Sequence, residues 1–166
     1  MIALKVEKMQ VKEIMKRKVI AIKESTTLKE LIGIFDKFTF HTLPVVNKEN
    51  KVVGIVAFED ILKVFEPHPS YIMDMLRRTP LWEEYEIKDF LETDIPPEIG
   101  VLCVAEDLMN TNVITTTEEA IITEVCSLMK LNQLRRIPVV DKEKHLVGII
   151  SLFDIILATF KKKGIL

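Results

Sequence analysis

Two segments of this 166-residue sequence place an aspartate shortly after an apolar run that predicts a β-strand. They are residues 54–60, which end at Asp60, and residues 148–154, which end at Asp154. A helix is predicted to follow each run, and a helix N-terminus exposes unpaired N–H groups and a positive dipole end, which favour an anion such as phosphate. A carboxylate three residues into that helix accepts two hydrogen bonds at once, which matches the vicinal hydroxyls of a ribose. This chemistry fits an adenosine-type ligand.

Helix capping is the alternative explanation for these aspartates. Ser151 and Asp154 have the spacing of a capping box, whose loss costs about 0.5 to 2 kcal/mol. The first segment keeps Asp60 although Ala57 stands at the place of the serine. No hydroxyl cap accounts for the acid there, which favours a second role for the carboxylate.

Both segments belong to an internal repeat with an offset of 94 residues. Residues 11–65 align without a gap on residues 105–159, and 15 aligned positions are identical. Each copy predicts a strand, a helix, a hairpin of two strands and a closing helix. Within the hairpins, Pro44 and Pro138 are interpreted as structural, and Gly54 and Gly148 as positions where another backbone or a ligand approaches closely. The sequence therefore predicts an α+β fold of two β-α-β-β-α repeats related by a pseudo-twofold axis, with small sheets packed against helices.

The predicted elements have the following bounds. In the first copy they are strands at 19–22, 43–46 and 52–56, a helix with apolar residues from Leu28 to Phe35, and a closing helix from near Ala57 to Pro67. In the second copy they are strands at 113–116, 137–140 and 146–150, a helix with apolar residues from Ile122 to Met129, and a closing helix from near Ser151 to near Gly164.

The repeats predict three regions: a first repeat at 1–66, an insertion at 67–103 and a second repeat at 104–166. The insertion holds five of the seven prolines, the only tryptophan and both tyrosines. It predicts helices at 70–78 and 81–91, ended by Pro96 and Pro97. Its aromatic and acidic residues serve either the packing of this helical hairpin, which we favour, or a partner surface.

Composition excludes several classes of function. A net charge of −2 without a concentrated basic stripe argues against nucleic-acid binding, and the clusters at 16–18 and 161–163 are interpreted as solvated turns or helix ends. Uncharged runs reach ten residues at most, far below the length of about 20 that a membrane-spanning helix needs. The first ten residues have no apolar signal core, so we expect a cytoplasmic protein.

Neither a metal site nor a catalytic site is indicated. Cys103 and Cys126 lie in apolar segments, and the three histidines share no ligand spacing with them. The sequence has no nucleophile elbow, no Walker loop and no dinucleotide-binding glycine motif. We therefore expect no metal, no cofactor and no enzymatic activity.

The doubled pattern resembles a tandem pair of cystathionine-β-synthase (CBS) domains, known as a Bateman module. Three features carry the resemblance in each copy: a Pro-Val-Val strand, a Val-Gly-Ile strand and an aspartate that opens the closing helix. The resemblance implies a regulatory sensor whose cleft between the repeats binds an adenosyl compound such as AMP, ADP, ATP or S-adenosylmethionine. It also implies a homodimer, and a free-standing sensor of this kind would act in trans on an effector protein.

The resemblance also implies a binding site in the second repeat. Asp154 would bind the ribose hydroxyls, and Ser151 the ribose or a phosphate. Arg135 and Arg136 would meet phosphates, because a guanidinium binds two oxygens at once. The residues implied around the base and ribose are Thr115, Thr116, Leu134, Ile137 and Pro138.

The equivalent site of the first repeat is expected to be weak or empty. Its residues are Asp60, Ala57, Ala21, Ile22, His41 and Thr42. Ala57 has no hydroxyl, and neither His41 nor Thr42 carries a fixed positive charge. A lost charge-assisted hydrogen bond is worth about 1.5 to 3 kcal/mol, or about tenfold or more in affinity.

Two functions remain open at this stage. The leading one is a ligand-sensing regulatory module, and the alternative is a dimerisation scaffold without a ligand. Ala57 favours the scaffold, whereas Ser151 and Asp154 favour the sensor. A nucleotide-processing enzyme would need a general base or a metal, and the sequence shows neither.

Overall fold

A computed structural model describes residues 8–38, 41–65 and 96–166 of the chain. The helices predicted at 70–78 and 81–91, and the predicted end of the first closing helix at Pro67, lie outside these residues. The strands are Ile22–Lys23 (β1), Thr42–Val46 (β2), Val52–Ala57 (β3), Arg136–Val140 (β4) and Leu146–Ser151 (β5). The α-helices are Leu28–Lys37 (α1), Ile99–Leu102 (α2), Ala105–Leu108 (α3), Ile122–Leu131 (α4) and Leu152–Lys162 (α5), and 3-10 helices cover Val11–Glu13 and Phe58–Phe65.

The long helices form where the apolar periodicity predicts them. Helix α1 begins with a capping box, in which the Thr27 N–H donates to Glu30 Oε2 at 2.8 Å and Thr27 Oγ1 accepts from Glu30 N at 3.3 Å. The carboxylate of Glu30 also accepts from Thr27 Oγ1 at 2.9 Å, and the hydrogen bonds from the Thr27 N–H and hydroxyl hold the pKa of Glu30 below its ordinary value. Helix α4 has no side-chain cap, and its Ile122 N–H donates instead to the carbonyl of Met9 at 2.9 Å.

Each repeat contains the predicted antiparallel hairpin. Strand β2 pairs with β3, and β4 pairs with β5, in the same register and with an irregularity at the equivalent place. Strand β1 adds to the first sheet in parallel with β2. The strand predicted at 113–116 is wrong, because only Thr116 bridges Val139 there. In the first repeat only Ile22 of the predicted strand at 19–22 lies in β1, and Ile20 packs against the core of the same repeat.

Hydrogen bonds between the repeats establish the pseudo-twofold axis. Lys16 exchanges both backbone hydrogen bonds with Ile149 at 2.9 Å, and Asn110 exchanges both with Ile55 at 2.9 and 3.0 Å. Each residue of the first pair lies 94 positions from its equivalent in the second pair. The predicted α+β architecture of two symmetry-related repeats is therefore confirmed.

The two repeats exchange their leading segments. Met9, Val11 and Met15 precede the first repeat's sheet, yet they pack in the core formed by α4 and the β4–β5 hairpin. Ala105 and Leu108 precede the second repeat's hairpin and pack in the core of the first repeat. Each hydrophobic core is therefore completed by residues of the other copy, which the linear repeat does not predict.

Gly54 and Gly148 allow this exchange. A Cβ atom at Gly54 would lie 2.3 Å from Met109 Sδ, and one at Gly148 would lie 2.8 Å from Met15 Sδ. The two methionines are themselves equivalent residues of the repeat. Both glycines thus accommodate a methionine side chain of the other copy. A backbone approaches closely only at Gly148, where an added Cβ would lie 3.1 Å from the carbonyl oxygen of Lys16.

Candidate ligand-binding site

A cavity of about 390 Å³ lies between the repeats and is lined by both. Its volume lies within the range of about 300 to 1,000 Å³ that is typical of small-molecule sites. The lining residues from the first repeat are Lys16, Lys18, Val19, Ile20, Phe38 and Thr42, and those from the second are Arg136, Ile149, Ser151 and Asp154.

Asp154 occupies the start of α5 and is buried, with 8% of its side chain exposed. One carboxylate oxygen, Oδ2, accepts from Ser151 N at 3.0 Å and from Ser151 Oγ at 2.5 Å. Ser151 Oγ in turn accepts from Asp154 N at 3.1 Å, which completes a capping box. The other oxygen, Oδ1, lies 3.3 Å from Lys16 Nζ. The residue therefore caps the helix and lines the cavity at the same time.

The cavity combines three cationic side chains with one carboxylate. Lys16 and Lys18 come from the segment before β1, and Arg136 comes from β4. An excess of positive charge in a partly enclosed site favours an anionic ligand, and guanidinium and ammonium groups both bind phosphate oxygens. Val19, Ile20 and Ile149 supply apolar surface beside these charges.

The first junction has a different set of contacts. Asp60 Oδ2 accepts from Ala57 N at 2.7 Å, and Asp60 Oδ1 lies 2.7 Å from Lys63 Nζ. Lys63 also donates to the carbonyl of Leu108 at 2.7 Å. The inference that a carboxylate without a hydroxyl partner has no capping role is wrong, because Asp60 bonds the backbone N–H by itself. It is 21% exposed and begins a 3-10 helix instead of an α-helix.

Of the residues expected in the second site, the cavity brings together Asp154, Ser151 and Arg136. Ile137 and Pro138 are buried in the β4 core instead, and Leu134 packs beside them. The remaining three lie elsewhere, with Arg135 exposed, Thr115 half-buried, and Thr116 buried and bonded through its backbone to β4.

Of the residues expected in the weaker site, Thr42 lines the cavity beside Asp154. Ile22 belongs to the first core, and Ala21 is half-buried beside it in the chain. His41 is exposed, and its carbonyl accepts from Phe58 N at 2.8 Å. These three residues do not line the cavity, and Asp60 and Ala57 remain at their own junction.

Apart from Thr42, the first-repeat residues of the cavity were not predicted from the sequence. Lys16 and Lys18 belong to a cluster that was interpreted as a solvated turn. Both side chains are exposed, as that interpretation predicts, and both also line the cavity. Arg17, between them, pairs with Glu118 at 2.6 Å. The offset of 94 residues contains a signal for this arrangement, because a pseudo-twofold axis places the segment before one repeat against the hairpin of the other. The second basic cluster does lie at a helix end, since α5 ends at Lys162.

Other chemical groups in the described residues are structural. Burial raises the pKa of the Cys103 and Cys126 thiols, which disfavours the reactive thiolate. No cluster of three or more metal-ligating side chains occurs within 8–38, 41–65 and 96–166. None of the helices in those ranges is long and apolar enough to cross a bilayer.

Comparison with known families identifies the repeats. The model of the CBS domain matches residues 11–67 and 104–161, which together make up more than half of the chain. The chain belongs to the CBS-domain family. The two matched copies make it a tandem CBS pair, as the doubled motif predicts.

Relatives of this CBS pair include proteins of very different length. The chain is 31% identical over 157 residues to the uncharacterized protein MJ1426 of Methanocaldococcus jannaschii, with 90% of each covered. It is 28% identical to the inosine-5'-monophosphate dehydrogenase of the same organism, but it spans only 22% of that enzyme.

Solved structures of CBS pairs share the fold. CBSX2, crystallised in complex with AMP, gives a TM-score of 0.68 at 20% identity and covers 93% of this chain and 98% of its own. A second structure, of the CBS-pair protein CBSX2 from Arabidopsis thaliana, gives a TM-score of 0.67 at 19% identity and covers 93% of this chain and 96% of its own. The CBS pair of MJ0100 in complex with 5'-methylthioadenosine and S-adenosylmethionine gives a TM-score of 0.62 at 25% identity, covering 93% of this chain and 98% of its own.

Proposed function

We propose that this CBS pair is a cytoplasmic regulatory module that binds an adenosyl compound of the AMP, ADP, ATP or S-adenosylmethionine type. The observation that carries the proposal is the cavity between the repeats, where the buried carboxylate of Asp154 lies beside Lys16, Lys18 and Arg136. The complexes of CBSX2 with AMP, and of the MJ0100 pair with adenosyl compounds, support the same class of ligand.

Each part of such a ligand has a counterpart in the cavity. The ribose hydroxyls donate to Asp154, whose carboxylate carries the negative charge that strengthens these hydrogen bonds. Phosphate oxygens lie against the cationic side chains, and the base packs on Val19, Ile20 and Ile149. Polar and apolar groups thus converge in one site, as in other small-molecule pockets.

Binding would act as a signal because both repeats line the cavity. A ligand shifts a conformational equilibrium only when it binds one arrangement more tightly than another. Contacts to Lys16 from one repeat and to Asp154 from the other depend on how the repeats are placed. The resulting change of surface would act in trans on an effector protein, and the proposal includes no catalytic step.

Thermal melting and mass spectrometry test the proposal. A ligand at 100 times its dissociation constant stabilises the protein by about 2.7 kcal/mol, which shifts the melting temperature of a chain of this size by about 5 to 10 °C. We expect this shift with at least one of AMP, ADP, ATP and S-adenosylmethionine, and an adenosyl compound in the native mass spectrum. No shift with any of the four compounds would leave the scaffold as the function.

The capping box supports this alternative scaffold function. Its hydrogen bonds give Asp154 a structural role that needs no ligand. In that case the protein would serve only to join other chains. A melting temperature that ligands leave unchanged, together with a stable dimer, is the result that this alternative predicts.

We propose further that the chain forms a homodimer through α5. Leu152, Ile156 and Phe160 lie on one side of this helix at intervals of four residues, and each is at least 40% exposed. The equivalent positions of the first repeat include Phe58 and Leu62, which are also exposed. An apolar row that the repeat duplicates suits a second copy of the chain, because a twofold interface is self-complementary.

Sedimentation equilibrium tests the dimer. Ile156→Glu introduces a charge into the apolar row, and we expect it to convert a dimer into a monomer. With ligand bound, the variant should melt at a temperature no lower than that of a dilute wild-type sample. Glu119→Lys, an exposed charge change elsewhere, serves as the control. A wild-type chain that sediments as a monomer at high concentration would contradict the proposal.

A further inference from the structure

The ion pair with Lys16 occupies the carboxylate of Asp154, which is the group that a ribose would bind. Oδ2 of the carboxylate already accepts two hydrogen bonds from Ser151. Oδ1 faces Lys16 Nζ at 3.3 Å. A ribose that binds Asp154 must therefore compete with the ammonium group for Oδ1.

Lys16 has a fixed backbone and an exposed side chain. Its N–H and carbonyl both bond Ile149 at 2.9 Å, which holds the residue at the cavity wall. Its side chain is nonetheless 66% exposed, so the ammonium group can leave the carboxylate without disturbing packed residues. A new anion within its reach would replace the contact that it loses.

The geometry points to Lys16 as the residue that selects phosphate-bearing adenine nucleotides at this site. When the ribose takes Oδ1, the ammonium turns to a ligand phosphate, where Lys18 and Arg136 also line the cavity. Adenosine offers no such anion and leaves Lys16 without its partner. S-adenosylmethionine carries a carboxylate, but its sulfonium and ammonium groups make it a net cation, which is unfavourable in a site that is already cationic. This inference rests on the proposed function, because it concerns the same cavity.

The first junction lacks this arrangement. Asn110 stands at the place equivalent to Lys16, and Asn112 at the place equivalent to Lys18. Asp60 pairs instead with Lys63 of its own helix, and Leu157 stands at the equivalent place in α5. Selection for phosphate is therefore a property of the Asp154 cavity, supplied from across the repeat interface.

Calorimetric titrations of Lys16→Gln test this inference, with AMP, ATP, adenosine and S-adenosylmethionine as the probes. Wild-type protein is expected to bind AMP and ATP at least about tenfold more tightly than the other two, since a charge-assisted hydrogen bond is worth about that factor. Lys16→Gln should weaken AMP and ATP by about tenfold, and adenosine should bind as tightly as before or more tightly, because Oδ1 is then released without breaking an ion pair. Lys142→Gln removes the same charge from an exposed turn and should change none of the affinities.

The outcomes separate this inference from the proposed function. Three results would each overturn the selection by Lys16 and leave the adenosyl site intact. Lys16→Gln could weaken the binding of AMP and adenosine equally, or it could leave all affinities unchanged. Wild-type protein could also bind S-adenosylmethionine as tightly as AMP. Failure of wild-type protein to bind all four compounds would overturn the proposed function and this inference with it. A lower affinity for AMP together with a higher affinity for adenosine in Lys16→Gln would support both the selection by Lys16 and the proposed function.

Discussion

Asp154 and Asp60 are equivalent residues with the same local role and different surroundings. Each accepts the N–H of the residue three positions before it, at 3.0 Å for Ser151 and 2.7 Å for Ala57. Asp154 then faces a cation of the other repeat, whereas Asp60 pairs with Lys63 on its own helix. The duplicated acid thus serves the fold in both places. The residues that the other repeat brings to it decide whether it can also serve a ligand.

The largest expected difference between the two aspartates is in ligand affinity. Asp154→Ala should lower the affinity for AMP at least about tenfold, because the hydrogen bonds to the ribose are charge-assisted. Asp60→Ala should change the affinity for AMP by no more than about twofold, because Asp60 makes no charge-assisted hydrogen bond to the ligand. Calorimetry on both variants measures this, and equal losses would refute the asymmetry.

Both variants also lose a cap. The removal of a helix cap costs about 0.5 to 2 kcal/mol, and the structure shows capping hydrogen bonds from both carboxylates. Asp154→Ala and Asp60→Ala should therefore each also lower the free energy of unfolding by about 0.5 to 2 kcal/mol. Affinity must therefore be measured at a temperature where each variant is folded.

The contacts across the repeat interface are the next comparison. Gly54→Ala should destabilise the protein by about 1 to 3 kcal/mol through overpacking, since its Cβ would meet both Sδ and Cγ of Met109 within 3 Å. Met109→Ala in the same chain should recover part of that loss. Denaturation with urea gives the coupling, and strictly additive effects would show that the two residues do not interact.

Gly33→Ala is the matched control for this substitution. Gly33 lies in α1, and nothing lies within 4 Å of its added Cβ. The change should raise stability by about 0.5 to 1 kcal/mol, because alanine favours a helix interior. A destabilising result would show that the glycine has another role.

The caps themselves provide a smaller comparison. Ser151→Ala should lower the free energy of unfolding by about 0.5 to 2 kcal/mol, and Ala57→Ser should raise it by a value near the lower end of that range. The two substitutions exchange the residues that differ between the junctions. Urea denaturation without ligand measures both, and a serine at position 57 that fails to stabilise the chain would show that the 3-10 helix cannot use a hydroxyl cap.

The smallest expected effect concerns the turns of the hairpins, where Asp141 is equivalent to Asn47. Both side chains accept two backbone N–H groups, but only Asp141 also contacts the His145 ring, at 2.9 Å. The hydrogen bond from His145 holds the pKa of Asp141 below its ordinary value. A lowered folded-state pKa stabilises the protein above the unfolded value of about 3.9, and this contribution is lost as the pH falls through the folded value.

Asp141→Asn should therefore flatten the acid side of the stability curve. We expect wild type and variant to differ most above about pH 5 and to converge as the pH falls through the lowered folded-state pKa of Asp141. Unfolding free energies measured across this range test the effect. A difference that grows toward low pH would contradict the direction of the shift.

Local signals predicted most of the fold. Apolar periodicity predicted α1 and α4, and two apolar runs around a polar turn predicted each hairpin, because these elements depend on contacts between near neighbours in the chain. The prediction of the short first strand was wrong in the second repeat. Residues 113–116 have the composition of a strand, yet apart from the single Thr116 bridge to Val139 they lie outside the sheet.

The site was predictable only on the side that belongs to its own repeat. Ser151 and Asp154 follow from the junction motif, whereas Lys16 lies more than a hundred residues away and reaches the cavity through the pseudo-twofold axis. Arg135 and Arg136 could not be told apart from composition. Arg136 is the first residue of β4 and lines the cavity, whereas Arg135 lies in the bend before the strand and is exposed.

The exchange of leading segments has a consequence for how this molecule can be divided. Met9, Val11 and Met15 complete one core, and Ala105 and Leu108 complete the other, so neither half alone contains a finished interior. Two separately expressed halves would each carry the apolar segment that the other lacks. Their reassembly would also recreate the cavity, which makes the chain suited to fragment complementation, with the ligand strengthening the reunited pair.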